Sequence, residues 1–138
     1  MFLSIKGGTQ SQRKVASRLI RAIVAQPEFP ANDVCICLKF HGIVVKESSL
    51  GLASFSGRVA LIEIDTHLHG AALVDTIAHE MIHVYQFLAE DLAYSEDGSE
   101  FVWKGVDLTG IAYEDQPHEI LAHGLSQYLL HTLEERAA

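Results

Sequence analysis

One segment narrows the possible folds of this chain more than any other. Residues 71–89, AALVDTIAHEMIHVYQFLA, are apolar enough to form a buried helix. Leu73, Ile77, Met81, Val84 and Leu88 recur at helical spacing and give that helix an apolar side. The same helix carries His79, Glu80 and His83. Grouping three ionisable side chains inside a packed helix costs stability unless something satisfies them. The fold must therefore bring partners to this spot, and a metal ion is one such partner.

The spacing suits a metal. On a helix, His79 and His83 lie one turn apart on one face, so two imidazoles can point at one tetrahedral zinc ion. Glu80 lies about 100° around the helix from His79. It can stand beside the ion without ligating it, take a proton from the bound water and pass it to a leaving amine. An HExxH pattern arises by chance in on the order of a few per cent of such chains, so the rest of the sequence has to supply a third ligand.

An HExxHxxGxxH continuation is absent, because Gln86 and Ala89 stand where it needs Gly and His. Glu90 lies seven residues beyond His83, about 10 Å along the axis and too far to reach the same ion. Two later carboxylates remain: Asp97 in EDGSEF and Glu119 in YEDQPHEILAH.

Two resemblances bear on that choice. HEMIHVYQF followed by DGSEF looks like the core of SprT-like zinc proteases, in which the His of HGxxF is the third ligand; Asp97 stands at that position here. HExxHxxQ ending in Gln86, then WKG, then YEDQPHEILA resembles the small phage-type gluzincins called minigluzincins. Their third ligand is the Glu of a PxExxA-like segment, matched by Tyr113, Pro117, Glu119 and Ala122, with His118 where an aromatic is common. This second resemblance spans roughly residues 59–123. It implies a minimal zincin-like metallopeptidase domain with zinc held by His79, His83 and Glu119, and Glu80 as general base and acid. Glu119 is accordingly the expected third ligand and Asp97 the alternative.

Other groups fall within reach. Asp75, one turn before His79, can hold its second ring nitrogen. Tyr113 and Tyr85 are candidate donors to a tetrahedral oxyanion. His123, one turn after Glu119, can orient it, bind substrate or stabilise that oxyanion. Gln86 can bond a loop or strand over the site, and Trp103 reads as packing. Zincin-like layouts, by resemblance, bind an extended peptide on an edge strand beside the cleft; Arg58 to Asp65 is the candidate.

The remaining chain supports an α+β domain spanning residues 1–138. Ser11 to Ala25 reads as an amphipathic helix closed by Pro27 and Pro30. DVCICLKF reads as a strand, with Cys35 and Cys37 on one face as small buried hydrophobes. Residues 41–57 suggest a further strand or hairpin. RVALIEID is a strand expected to turn Val59, Leu61 and Ile64 inward. Residues 90–100 read as a polar loop and 101–113 as irregular. A last helix runs from Pro117 to Glu135, with Asp115 as its cap.

Charge and cysteine usage limit the function classes. The formal charge is −8, whereas a chain that grips nucleic acid needs a basic excess. Lys6, Arg13, Lys14, Arg18 and Arg21 cluster around the first helix, where they read as a solvated face. No apolar run reaches the ~18 residues of a membrane span, and the N-terminus lacks the pattern of a cleaved signal. The expectation is a cytoplasmic zinc peptidase acting on a peptide or protein. The rivals are a SprT-like protease of DNA-associated proteins and a catalytically silent, zinc-stabilised binding protein.

Overall fold

The computed structural model describes residues 1–30, 33–42 and 50–137. Among these residues, seven strands and three α-helices follow in the order β1 (Phe2–Lys6), α1 (Gln10–Val24), β2 (Cys35–His41), β3 (Gly51–Ser56), β4 (Val59–Asp65), α2 (Gly70–Leu88), β5 (Leu92–Tyr94), β6 (Phe101–Trp103), β7 (Val106–Asp107) and α3 (Pro117–Ala137). The α+β expectation holds: N-terminal helix, mixed sheet, central helix and C-terminal helix. Within the expected strand or hairpin over 41–57, residues 43–49 lie outside the described residues.

β1, α1 and β2 form a crossover unit. β1 pairs parallel with β2, and β2 parallel with β4. β3 pairs antiparallel with β4, so the strand order is β1-β2-β4-β3. This corrects the choice of edge strand. Arg58 to Asp65 contains β4, which is flanked on both sides, and among the described residues the edge beside it is β3. The inward face of β4 also differs from expectation. Ala60, Ile62 and Ile64 are buried, whereas Val59 is 45% exposed. A strand alternates with period two, so Ile64 shares its face with Ile62 and cannot share one with Val59 or Leu61.

α1 and α2 cover one face of the sheet. Ile36, Leu38 and Phe40 of β2 join the β4 residues in a core with Ala16, Ile20 and Ile23 of α1 and with Leu73, Ile77, Met81 and Val84 of α2. Cys35 and Cys37 point to the other face and are only half-buried, with their sulfurs 3.9 Å apart.

α1 starts with a capping box. Thr9 Oγ1 accepts from the Gln12 backbone N–H, and Gln12 Oε1 accepts from that of Thr9. The buried Gln12 amide also donates to the carbonyls of Thr66 and Leu68, at 2.8 and 2.9 Å. One residue thereby fixes where α1 begins and how the chain enters α2.

Residues 90–107 are more ordered than expected. β5, β6 and β7 form a small antiparallel sheet beside the end of α2. Strands of two or three residues are too short for alternation to register. A 3-10 turn at Tyr113–Asp115 precedes α3. Asp115 belongs to that turn, and Gln116 holds the position before the helix, its carbonyl accepting from Glu119 and Ile120.

Candidate metal centre

α2 enters the core between the sheet and α3, which places its polar groups toward α3. His79 and His83 aim their Nε2 atoms at one point, 3.2 Å apart. α3 begins at Pro117 and presents Glu119 within its first turn. One Glu119 oxygen lies 3.2 Å from His79 Nε2 and the other 2.6 Å from His83 Nε2. Metal–ligand distances of ~2.0–2.1 Å put the ligands of a tetrahedral zinc ion about 3.3 Å apart. The two 3.2 Å separations match that spacing and the 2.6 Å contact is tighter, so Glu119 has to draw back from His83 to admit an ion; two imidazoles with a carboxylate are a donor set zinc accepts. The residues present fit the ion.

Burial makes the cluster strongly interacting. Burial alone would raise the Glu119 pKa, but hydrogen bonds from His79 and His83 outweigh it and hold the carboxyl well below the usual range. Burial likewise opposes charge on His83, and the Glu119 carboxylate overrides it, raising that pKa. Glu80 behaves differently. It is 5% exposed, and its carboxylate lies within 4.8 Å of ring nitrogens of both histidines. Burial raises its pKa, with His83 and His79 offsetting part of the rise.

The centre opens into a cleft of about 720 Å³ lined by Gly51, Asp75, Thr76, His79, Glu80, Tyr113 and His123. Gly51 of β3 crosses directly over α2. A Cβ there would sit 2.8 Å from Thr76 Cγ2 and 3.3 Å from Glu80 Cγ, so the missing side chain is what lets the strand pass.

The remaining residues are placed as follows. Tyr113 lines the cleft; burial, and then the nearby Glu119 carboxylate, push its phenol pKa up. His123 is exposed, with its ring centroid 4.6 Å from that of His79. Asp75 is exposed at the cleft, and among the described residues it makes no hydrogen bond to His79. Tyr85 packs near Phe29, away from the cleft. Asp97 is not brought to the centre. Its carboxylate accepts from the Ser95 hydroxyl and from the Ser99 hydroxyl and backbone N–H. These bonds, chiefly that from the Ser99 hydroxyl, pull its pKa down to about 2. Gln86 bonds His83 and the α3 backbone, not a loop or strand over the site.

Two contributors escaped the sequence reading. His118 points into a ring cluster, tilted against His83 and Phe101 at centroid distances of 5.4 and 5.3 Å and stacked on Trp103 at 6.3 Å. Its only advance signal was the aromatic usual at that position in the resembled family. Gly51 had none, because its contacts come from a helix more than twenty residues later.

No protein-family model matches the chain, and neither a curated protein nor a solved structure does. Among the described residues no helix is long and apolar enough to cross a membrane.

Proposed function

We propose that the chain is a zinc-dependent peptidase of the gluzincin type. The observation that carries the reading is the convergence of His79, His83 and Glu119 at metal-ligand spacing with Glu80 beside them at the wall of a cleft. When bound, zinc supplies the charge that lets a water ionise near neutral pH.

The residues divide the remaining work. Glu80 is held by burial at a raised pKa, which suits a carboxylate that takes a proton from the attacking water and returns it to the leaving amine. Tyr113 keeps its proton, so its hydroxyl remains a donor to the developing oxyanion. His123 offers a ring N–H from the same wall. β3 lies beside this cleft. The Asp65 N–H to Leu50 carbonyl bond sets the register, so Gly51, Ala53 and Phe55 turn their backbone groups away from β4. The Tyr94 hydroxyl takes the Phe55 N–H at 3.0 Å, and an extended substrate pairs with the Gly51–Ala53 end, next to Glu80.

The SprT-like alternative needs a ligand at Asp97, whose carboxylate is committed to its own turn. The acidic charge also favours a peptide or protein substrate over a nucleic-acid-bound one.

The test compares wild type with Glu80→Gln on an unbiased peptide mixture read by mass spectrometry, with zinc content measured alongside. The variant should keep its zinc and lose about 10²–10⁴-fold in turnover. Undiminished cleavage by Glu80→Gln, or a wild type that binds no zinc, would overturn the reading.

A further inference from the structure

Two pairs of side chains face each other across the α2–α3 interface. α2 contributes His79 and His83, four residues apart. α3 contributes Glu119 and His123, also four apart and therefore on one face. Three of the four already meet within 3.2 Å of one another. The fourth is close: a His123 ring nitrogen lies within 4.8 Å of ligating atoms of both His79 and Glu119. Two-plus-two donor sets on facing helices are a general way of building a metal site inside a helix pair.

We propose that His123 is a fourth protein ligand, which closes the metal centre while the cleft holds no substrate. The proposal rests on the reading of His79, His83 and Glu119 as a zinc site. The separation has to shrink from at most 4.8 Å to about 3.3 Å. The side chain is free to do this. It is exposed, and among the described residues its ring makes no hydrogen bond and only packs on His79. It also approaches from the cleft, the side on which Glu80 and Tyr113 lie. That is the side from which water or a substrate carbonyl must come.

A second, separate ion at His79, Glu119 and His123 is the weaker use of the same atoms. Both ions would share His79 and Glu119, and two dications a few ångströms apart repel strongly with so little negative charge between them.

Closure has a functional consequence. With four protein ligands the ion has the coordination of a structural site, whereas catalysis requires one open position. Substrate must displace His123, and its apparent affinity falls in proportion to the fraction of open enzyme. The displaced imidazole is left beside the substrate, where it can donate a hydrogen bond.

Zinc X-ray absorption on the substrate-free protein tests this, because its outer-shell scattering counts imidazole ligands. Three are expected in wild type and two in His123→Ala, and zinc affinity measured by chelator competition should fall tenfold or more in the variant. Because His123 is exposed, the substitution leaves the fold intact. Two imidazoles and equal affinity in both proteins would overturn the closure and leave the peptidase reading standing. A wild type that takes up no stoichiometric zinc would overturn both.

Discussion

Gln86 accepts a hydrogen bond from Nδ1 of His83 at 2.8 Å and donates one to the backbone carbonyl of His118 at 3.1 Å. The second bond decides the first. A carbonyl only accepts, so the Gln86 NH₂ must face His118 and its oxygen must face His83. Nδ1 of His83 is then the protonated nitrogen, and in the neutral ring Nε2 keeps a lone pair aimed at Glu119 and His79. One buried amide sets the tautomer of a ligand on α2 and ties it to the helix that brings the third ligand.

Gln86→Leu should therefore weaken zinc binding by about 10–100-fold, the usual effect of losing a group that orients a ligating histidine. Competition with a chromophoric chelator measures it. Unchanged affinity would mean that His83 is oriented by something else.

The choice of third ligand is open to the same assay. Glu119→Ala should lose tight zinc after gel filtration, whereas Asp97→Ala should retain a full equivalent. The reverse pattern would show that the loop at 95–99 rearranges to reach the ion.

Gly51→Ala tests the strand crossing over α2. The added methyl meets Thr76, whose rotamer is held by its hydroxyl bond to the Ala72 carbonyl at 2.8 Å, and then Glu80. Overpacking of this kind costs about 1–3 kcal/mol. Stability in urea should drop by that amount, and peptide turnover should fall further than zinc content because Glu80 moves and the ligands do not. Wild-type turnover and stability together would show that β3 yields without disturbing the site.

His118→Phe should stabilise the metal-free protein in acid. Burial, reinforced by the charge on His83, pushes the His118 pKa down to about 4 from an ordinary 6.5. As pH falls from 6.5 toward 4, the unfolded chain takes up a proton that the folded one refuses, so stability declines across that window. Above pH 6.5 the group contributes no slope. Phenylalanine removes this part of the decline. It also removes a buried Nδ1 that has no hydrogen-bond partner among the described residues, a gain of about 1 kcal/mol. Urea titrations at pH 7.5 and 5 should show the variant's advantage growing in acid. An equal difference at both values would mean that His118 titrates normally.

Much of this molecule was legible in its sequence. α1 and α2 fall within one residue of the expected boundaries and α3 within two at its C-terminal end, because apolar spacing, prolines and length speak clearly over four or more turns. Strand β2 was readable from its alternation. The strands of residues 92–107 were not, since two or three residues carry no period. The facing of β4 was misjudged because both of its faces carry large aliphatic residues, and only the neighbouring strands and helices decide which one is covered.

The site divides along the same line. His79, Glu80 and His83 share one helix, so their mutual placement follows from 3.6 residues per turn and needs no tertiary information. Glu119 is forty residues beyond His79. Spacing alone left both it and Asp97 as candidates, resemblance favoured Glu119, and in the packing of α3 on α2 one carboxylate meets the two imidazoles while the other is consumed by its own turn. Gly51, Gln86 and His118 acquire their roles in the same way. Spacing along a single helix is a local property of the backbone. Which groups meet across two elements depends on how buried surfaces settle against each other, and that was decided only by the folded chain.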